Sequence, residues 1–105
     1  MRQPLLPMES QPESHFVAHN VSRNRFEVAL GEQAAFAEYR VEGDRMIFTH
    51  TEVPPEFRGR GIARKLVLAG FDAAASNNLK IVPLCSYVAR MLREHPEFSS
   101  PEKAG

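Results

Sequence analysis

Between Arg25 and Leu30 apolar and polar residues alternate, with Phe26, Val28 and Leu30 in phase. A period of two puts those three side chains on one face of a β-strand. Gly31-Glu32 follows as a hairpin signal, and residues 33–41 read as a second strand. Gly43-Asp44 is another turn, and residues 45–53 read as a third strand. These three form an antiparallel meander. His50 and Glu52 are in step with Met46 and Phe48, so the pattern places all four on one face of the third strand. From Ile62 the period changes. Ile62, Leu66, Gly70 and Ala73 recur on one side of a helix over 62–77, with Ala63, Val67 and Ala74 beside them. So wide an apolar face has to lie on a sheet. Gly70 allows a close approach, at about 1 kcal/mol of helix propensity relative to Ala. Asn77-Asn78 supplies the stop. Residues 79–84 read as a short buried strand. Residues 86–95 read as a second helix with Val88, Met91, Leu92 and His95 in step, ended by Pro96.

The order β-β-β-α-β-α predicts an α/β (α+β-like) domain with a compact mixed sheet. Parallel pairing is expected only around the crossover from the third strand through the first helix to the fourth strand. Residues 1–14, rich in Pro, Ser, Gln and Glu, read as a disordered arm, residues 15–98 as the domain, and residues 99–105 as a flexible tail. A length of 105 residues suits one domain with a modest core. The formal net charge is zero, which argues against bulk electrostatic binding to nucleic acid or membrane. One cysteine suits a reducing compartment. No apolar run approaches the roughly 18 residues of a membrane span, and residues 1–8 lack the features of a signal peptide. A cytoplasmic location is the expectation.

The chemistry concentrates after the third strand. Arg58-Gly59-Arg60-Gly61-Ile62-Ala63 joins an extended segment to a helix, with Arg64 and Lys65 close behind. Two glycines permit positive φ and close backbone approach. The free N–H groups of the helix's first turn lie at the positive end of its dipole. Strand, glycine turn and helix N-terminus together form an anion site suited to a phosphate or pyrophosphate. A Walker A loop needs Gly-x-x-x-x-Gly-Lys-Ser/Thr. Counting from Gly59 or Gly61 puts Arg64 or Leu66 at the second glycine, so it fails. The dinucleotide fingerprint fails at Arg64, its third glycine position, and Asn78, Leu79 and Lys80 stand where its acidic residue belongs. Arg/Gln-x-x-Gly-x-Gly/Ala has every fixed position filled, by Arg58, Gly61 and Ala63.

That last pattern resembles the pyrophosphate loop of the GNAT superfamily of acyl-CoA N-acyltransferases. The residues 50–63, then 79–88 with Pro83-Leu84-Cys85, then His95-Pro96-Glu97-Phe98, are similar to one small single-domain GNAT subfamily. The resemblance implies acetyl-CoA as cosubstrate, with its pyrophosphate on the loop: Arg58, Gly59, Arg60, Gly61, Ile62 and Ala63. It implies that the pantetheine arm lies in a V-shaped opening between the third and fourth strands. Relative to larger members, no helices separate the first two strands, and little chain follows the last helix. The cleft should therefore be open, which suits a protein lysine or a polyamine as the amine acceptor.

Four residues are candidates for catalysis. Cys85 precedes a helix whose dipole favours the thiolate, so it is either an acyl-accepting nucleophile or a small turn residue. His50 or Glu52 suits the base that deprotonates an ammonium, or is simply a strand residue. Tyr87 suits a proton donor to the departing thiolate, or packing. Backbone N–H groups near Val53 suit polarisation of the thioester carbonyl. His95 reads as a helix-terminal residue. No metal-ligand spacing is present, so no metal is expected. The main reading is an acetyl-CoA-dependent N-acetyltransferase acting on a primary amine, by direct attack or through acetyl-Cys85. The alternative is a non-catalytic module that binds CoA or another nucleotide. Nucleic-acid binding through Arg58, Arg60, Arg64 and Lys65 lacks interleaved aromatic residues.

Overall fold

The computed structural model describes residues 15–99. The expected disordered arm, residues 1–14, and residues 100–105 of the expected tail lie outside them. The described residues form a five-stranded sheet in the order β1-β2-β3-β4-β5. The strands are β1 (Ala18–Asn20), β2 (Arg25–Leu30), β3 (Gln33–Glu42), β4 (Arg45–Glu52) and β5 (Lys80–Pro83). Successive pairs are antiparallel up to β4, and β4 and β5 are parallel. Helix α1 (Ile62–Ser76) makes the crossover, and α2 (Ser86–Glu94) follows β5. This is the mixed α/β architecture the periodicity predicts, with one strand more. Strand β1 is three residues long, too short to show alternation. It is set by pairing with β2 and by Asn20, whose side chain accepts the Arg23 N–H and caps a single 3-10 turn.

The core lies between one face of the sheet and the helices. Phe26, Val28, Ala37, Met46 and Phe48 meet Leu66, Val67 and Phe71 of α1, and Val88 and Met91 of α2 close it. Phe71, which the sequence-derived helix face omits, is fully buried and edge-on to Phe48 at 5.7 Å. Gly70 packs directly against Phe48 of the sheet. A Cβ there would lie 2.6 Å from Phe48 Cε2. Asn78, just past α1, has φ 58°, a left-handed stop of the kind Asn tolerates.

Two expectations are corrected. Residues 79–84 do not form a buried strand. β5 is an edge strand paired on one side, so Lys80 is exposed and Ile81, Val82 and Pro83 are half-buried. The second correction bears on the site. His50 and Glu52 do not share a face with Met46 and Phe48. Tyr39 pairs with Phe48 but Glu38 pairs with His50, which leaves Thr49 as an extra residue in β4. A one-residue bulge inverts the phase of every side chain beyond it. Met46 and Phe48 enter the core, whereas His50 and Glu52 face the other side with Phe36, whose ring centroid is 6.0 Å from that of His50. Thr51, opposite core residue Ala37, takes the helix side instead.

Candidate active site

The site lies where β4 and β5 part. Phe48 pairs with Pro83, which has no N–H to donate, and the last bond runs from Leu84 N–H to Phe48 O at 3.0 Å. Strand β4 continues to Glu52 beside β3 alone, while the segment leaving β5 turns at Cys85 into α2. An opening remains between them. Beyond β4, Val53 and Pro54 lead into a 3-10 turn, Pro55–Phe57. Arg58 Nε donates to Val53 O at 2.9 Å and ties the loop back to the strand end.

The loop then needs its glycines. Gly59 and Gly61 have φ 81° and 79°, and a Cβ built on either meets nothing within 4 Å. Backbone conformation, not crowding by the protein, is what demands glycine there. The first helical bond is Lys65 N–H to Gly61 O, 3.1 Å. The amides of residues 59–64 have no backbone acceptor among the described residues. No acidic residue occupies the first turn of α1, and no side chain caps Gly61. Six successive amides, leading into the positive end of a helix, thus lack a backbone partner among the described residues.

A cleft of about 510 Å³ runs past this loop. Val53, Arg58, Gly59, Gly61, Ile62 and Ala63 line it. Arg60 turns away, its guanidinium 5.3 Å from the Phe57 ring centroid. Glu52 and Tyr87 line the cleft too. His50 stands outside on the open face and reaches it through Glu52, whose Oε1 lies 2.9 Å from His50 Nε2. Cys85 sits behind Thr51, with Sγ 3.8 Å from Thr51 Oγ1. Burial pushes the Cys85 thiol up, but the N–H groups of Val88 and Tyr87 and the main chain and hydroxyl of Thr51 act together the other way. The net direction is below the ordinary thiol value.

Three cleft residues escape the sequence reading. Thr51 is hidden by the bulge, because strict alternation points it away from Cys85. Phe57 looks like an ordinary turn residue. Arg90 lines the cleft with Tyr87, three positions earlier on α2, and that helical spacing is the signal that finds it. His95 contacts Arg64 at 3.3 Å at the end of α2. Among the described residues no group of three or more His, Cys, Asp and Glu converges as a metal site, and no helix is long and apolar enough to cross a membrane.

A family model described as GCN5-related N-acetyl-transferase matches residues 25–100. The chain belongs to this GCN5-related N-acetyltransferase family. Protein NATD1 of Mus musculus is 36% identical over 83 residues, covering 76% of each chain. Protein NATD1 of Homo sapiens is also 36% identical over 83 residues, covering 76% of this chain and 74% of its own. A solution structure of a Staphylococcus aureus protein described as GCN5-like has a TM-score of 0.63 at 30% identity. It covers 79% of this chain and 82% of that one. Family membership makes acyl-CoA the ligand to test against the cleft. The residues fit it: open space at both glycines, six amides without a backbone acceptor and an unpaired length of β4 suit a pyrophosphate followed by an extended arm.

Proposed function

We propose that this chain is an acetyl-CoA-dependent N-acetyltransferase acting on a primary amine. The observation that carries the reading is the loop before α1, with its two left-handed glycines and six amides lacking a backbone acceptor among the described residues. Such a cradle lacks only acceptor oxygens and negative charge, and a pyrophosphate has both. Acetyl-CoA, when bound, supplies an acyl thioester activated toward an amine. The chain's own groups do the rest. Residues 59–64 anchor the carrier through backbone N–H groups. Val53 lies between loop and strand, and N–H groups there suit the thioester carbonyl.

Glu52 and His50 act as a pair. Glu52 lines the cleft and holds the His50 imidazole, and their side chains are 45% and 52% exposed. The pair takes the proton of the incoming ammonium and passes it to solvent on the open face. Tyr87, which also lines the cleft, gives a proton to the departing thiolate. A catalytic pair this exposed admits a lysine on a protein or a polyamine.

A second reading has one observation in its favour. Cys85 Sγ lies 3.8 Å from Thr51 Oγ1, and against burial the hydrogen bonds from Val88, Thr51 and Tyr87 hold its thiol below the ordinary value, which suits transfer through acetyl-Cys85. One set of experiments separates the readings. Release of CoA thiol is followed with acetyl-CoA and a panel of primary amines, and binding is followed by calorimetry. Direct transfer predicts that Glu52→Gln and His50→Ala each lose about tenfold or more in rate with CoA affinity intact, while Cys85→Ala retains a measurable rate. An acetyl group on Cys85 in the intact mass, with Cys85→Ala inert, establishes the covalent route. CoA binding without transfer to any amine leaves a binding module and overturns the enzyme reading.

A further inference from the structure

The face of the sheet turned away from the helices is uncovered, and the strand register says what stands on it. Glu27 of β2 and Glu52 of β4 both pair with Phe36 of β3, so the three form one row across the strands. The next row is Arg25, Glu38 and His50. On the other side of Phe36 stand Ala29 and Ala34, paired with each other, and Ala18 of β1 flanks Glu27. None of these belongs to the core, which lies with both helices on the opposite face. The result is a half-buried ring beside small apolar side chains, with a carboxylate on either hand. Two strand spacings, roughly 10 Å, separate those two positions.

The charge on this face is unbalanced. Three carboxylates stand against one guanidinium. Arg25 is committed to Glu27 through Nε at 2.6 Å and lies over the Phe36 ring at 4.2 Å. The hydrogen bonds from Arg25 and Asn20 both fall on Glu27 Oε2, which leaves Oε1 without a partner among the described residues. The Glu38 carboxylate has no ion-pair partner among them either. Arg40, beyond the bulge, is matched by Glu42. The complementary ligand is therefore a cation. The main chains of β2, β3 and β4 are engaged with one another inside the sheet. The face thus offers no hydrogen bonds to a peptide backbone, only carboxylates and an apolar floor.

We propose that this face is the acceptor site for a linear aliphatic polyamine, laid across the strands from Glu52 over Phe36 to Glu27. Its methylene runs cover Phe36 and the alanines, and its ammonium groups meet the carboxylates at the two ends. That the bound amine is the acceptor rests on the N-acetyltransferase reading; binding by the face does not. Glu52 belongs to both surfaces, lining the cleft and ending the row. One terminal nitrogen therefore lies at the mouth of the cleft while the rest of the chain stays outside it. That ammonium loses one proton to the Glu52–His50 pair. Its nitrogen forms the C–N bond as the thioester C–S bond breaks, and the second proton it loses is balanced by the one that ends on the CoA sulfur. Glu27 and Phe36 determine specificity and do not touch the reacting atoms.

The test is CoA thiol release by the full chain with acetyl-CoA and either spermidine or n-butylamine, which shares spermidine's butylamine end and carries no further charge. Exposed ion pairs are weak singly, so the added ammonium and methylene contacts together are expected to raise kcat/KM about tenfold for spermidine. The preference shrinks at high salt. Glu27→Gln and Phe36→Ser each lower it, and Glu27→Gln also flattens its salt dependence. Equal kcat/KM for the two amines overturns the polyamine site and leaves the enzyme reading standing. So does a lysine peptide that is a better acceptor than spermidine, or a Glu27→Gln variant with the wild-type ratio. If no amine is acetylated, the enzyme reading fails, and calorimetry with spermidine decides the face. Binding weakened by Glu27→Gln upholds the face and strikes only its role as acceptor site. No binding, or binding indifferent to Glu27→Gln, overturns it. The wild-type ratio needs no variant, so the outcome does not depend on a mutant fold.

Discussion

Replacing Gly61 separates what the loop does for the fold from what it does for a ligand. Gly61 caps α1 with φ 79° and ψ 12°. A residue with a Cβ in that left-handed conformation costs about 1–2 kcal/mol. No neighbour adds to the cost, because nothing lies within 4 Å of the Cβ position. Gly61→Ala should therefore lose about 1–2 kcal/mol, with Tm falling by about 4–8 °C per kcal/mol for a domain of this size. Gly61→Glu bears the same backbone cost. Its carboxylate, however, sits at the positive end of a 15-residue helix with no acid of its own in the first turn, which returns about 0.3–1 kcal/mol. The Glu variant should thus be at least as stable as the Ala variant. Binding runs the other way. The Ala variant leaves the amides of residues 59–64 open, whereas the Glu carboxylate covers them and repels a pyrophosphate. CoA affinity should fall by about tenfold or more in Gly61→Glu, at least ~1.4 kcal/mol. Thermal denaturation gives one ordering and titration calorimetry the opposite one. Equal CoA affinity for wild type and Gly61→Glu would refute the cradle. A Glu variant clearly less stable than the Ala variant would refute the electrostatics of the helix end.

Three further outcomes are expected. Gly70→Ala should lower Tm, because Phe48 is fully buried against Phe71 and Tyr39. Overpacking costs of about 1–3 kcal/mol exceed the ~1 kcal/mol of helix propensity that Ala restores, and a variant more stable than wild type would show that α1 has room to retreat. Alkylation of Cys85 by iodoacetamide, followed against pH, should have its midpoint below that of a free cysteine, since its pKa is lowered. Thr51→Val removes one donor to the thiolate and should move the midpoint up; an unmoved midpoint denies Thr51 that role. The Arg25 hydrogen bond holds the Glu27 carboxyl below the usual carboxylate range against the opposing effect of burial, with Asn20 assisting. A depressed folded value means stability that is present above the unfolded pKa and lost as pH falls through the folded one. Glu27→Gln should flatten the acid side of a Tm–pH curve, and parallel acid limbs would contradict the assignment.

The strands β2, β3 and β4, helix α1 and the glycine loop were legible in the sequence because each is specified locally. Alternation at Phe26, Val28 and Leu30, the helical recurrence from Ile62, and Gly59 and Gly61 before a helix are all contained in short windows. Glycines before a helix leave the amides of its first turn without intrahelical partners whatever packs behind them. The half of the site that carries the proposed catalytic residues was not legible in that way. Periodicity gives the face of a residue only while the strand is uninterrupted. The extra residue at Thr49 arises from how β4 pairs with Glu38 and Tyr39 of β3, partners that lie in another part of the chain. That single insertion sends His50 and Glu52 to the open face and Thr51 toward Cys85. In the same way, β1 exists through its pairing with β2, β5 is an edge because no strand follows it in the sheet, and Arg64 and Arg90 meet across a cleft through Glu94. Local backbone preference determined the elements and the loop. Which side chains face one another across the cleft was settled by long-range pairing and helix packing, because no short window of sequence contains both partners.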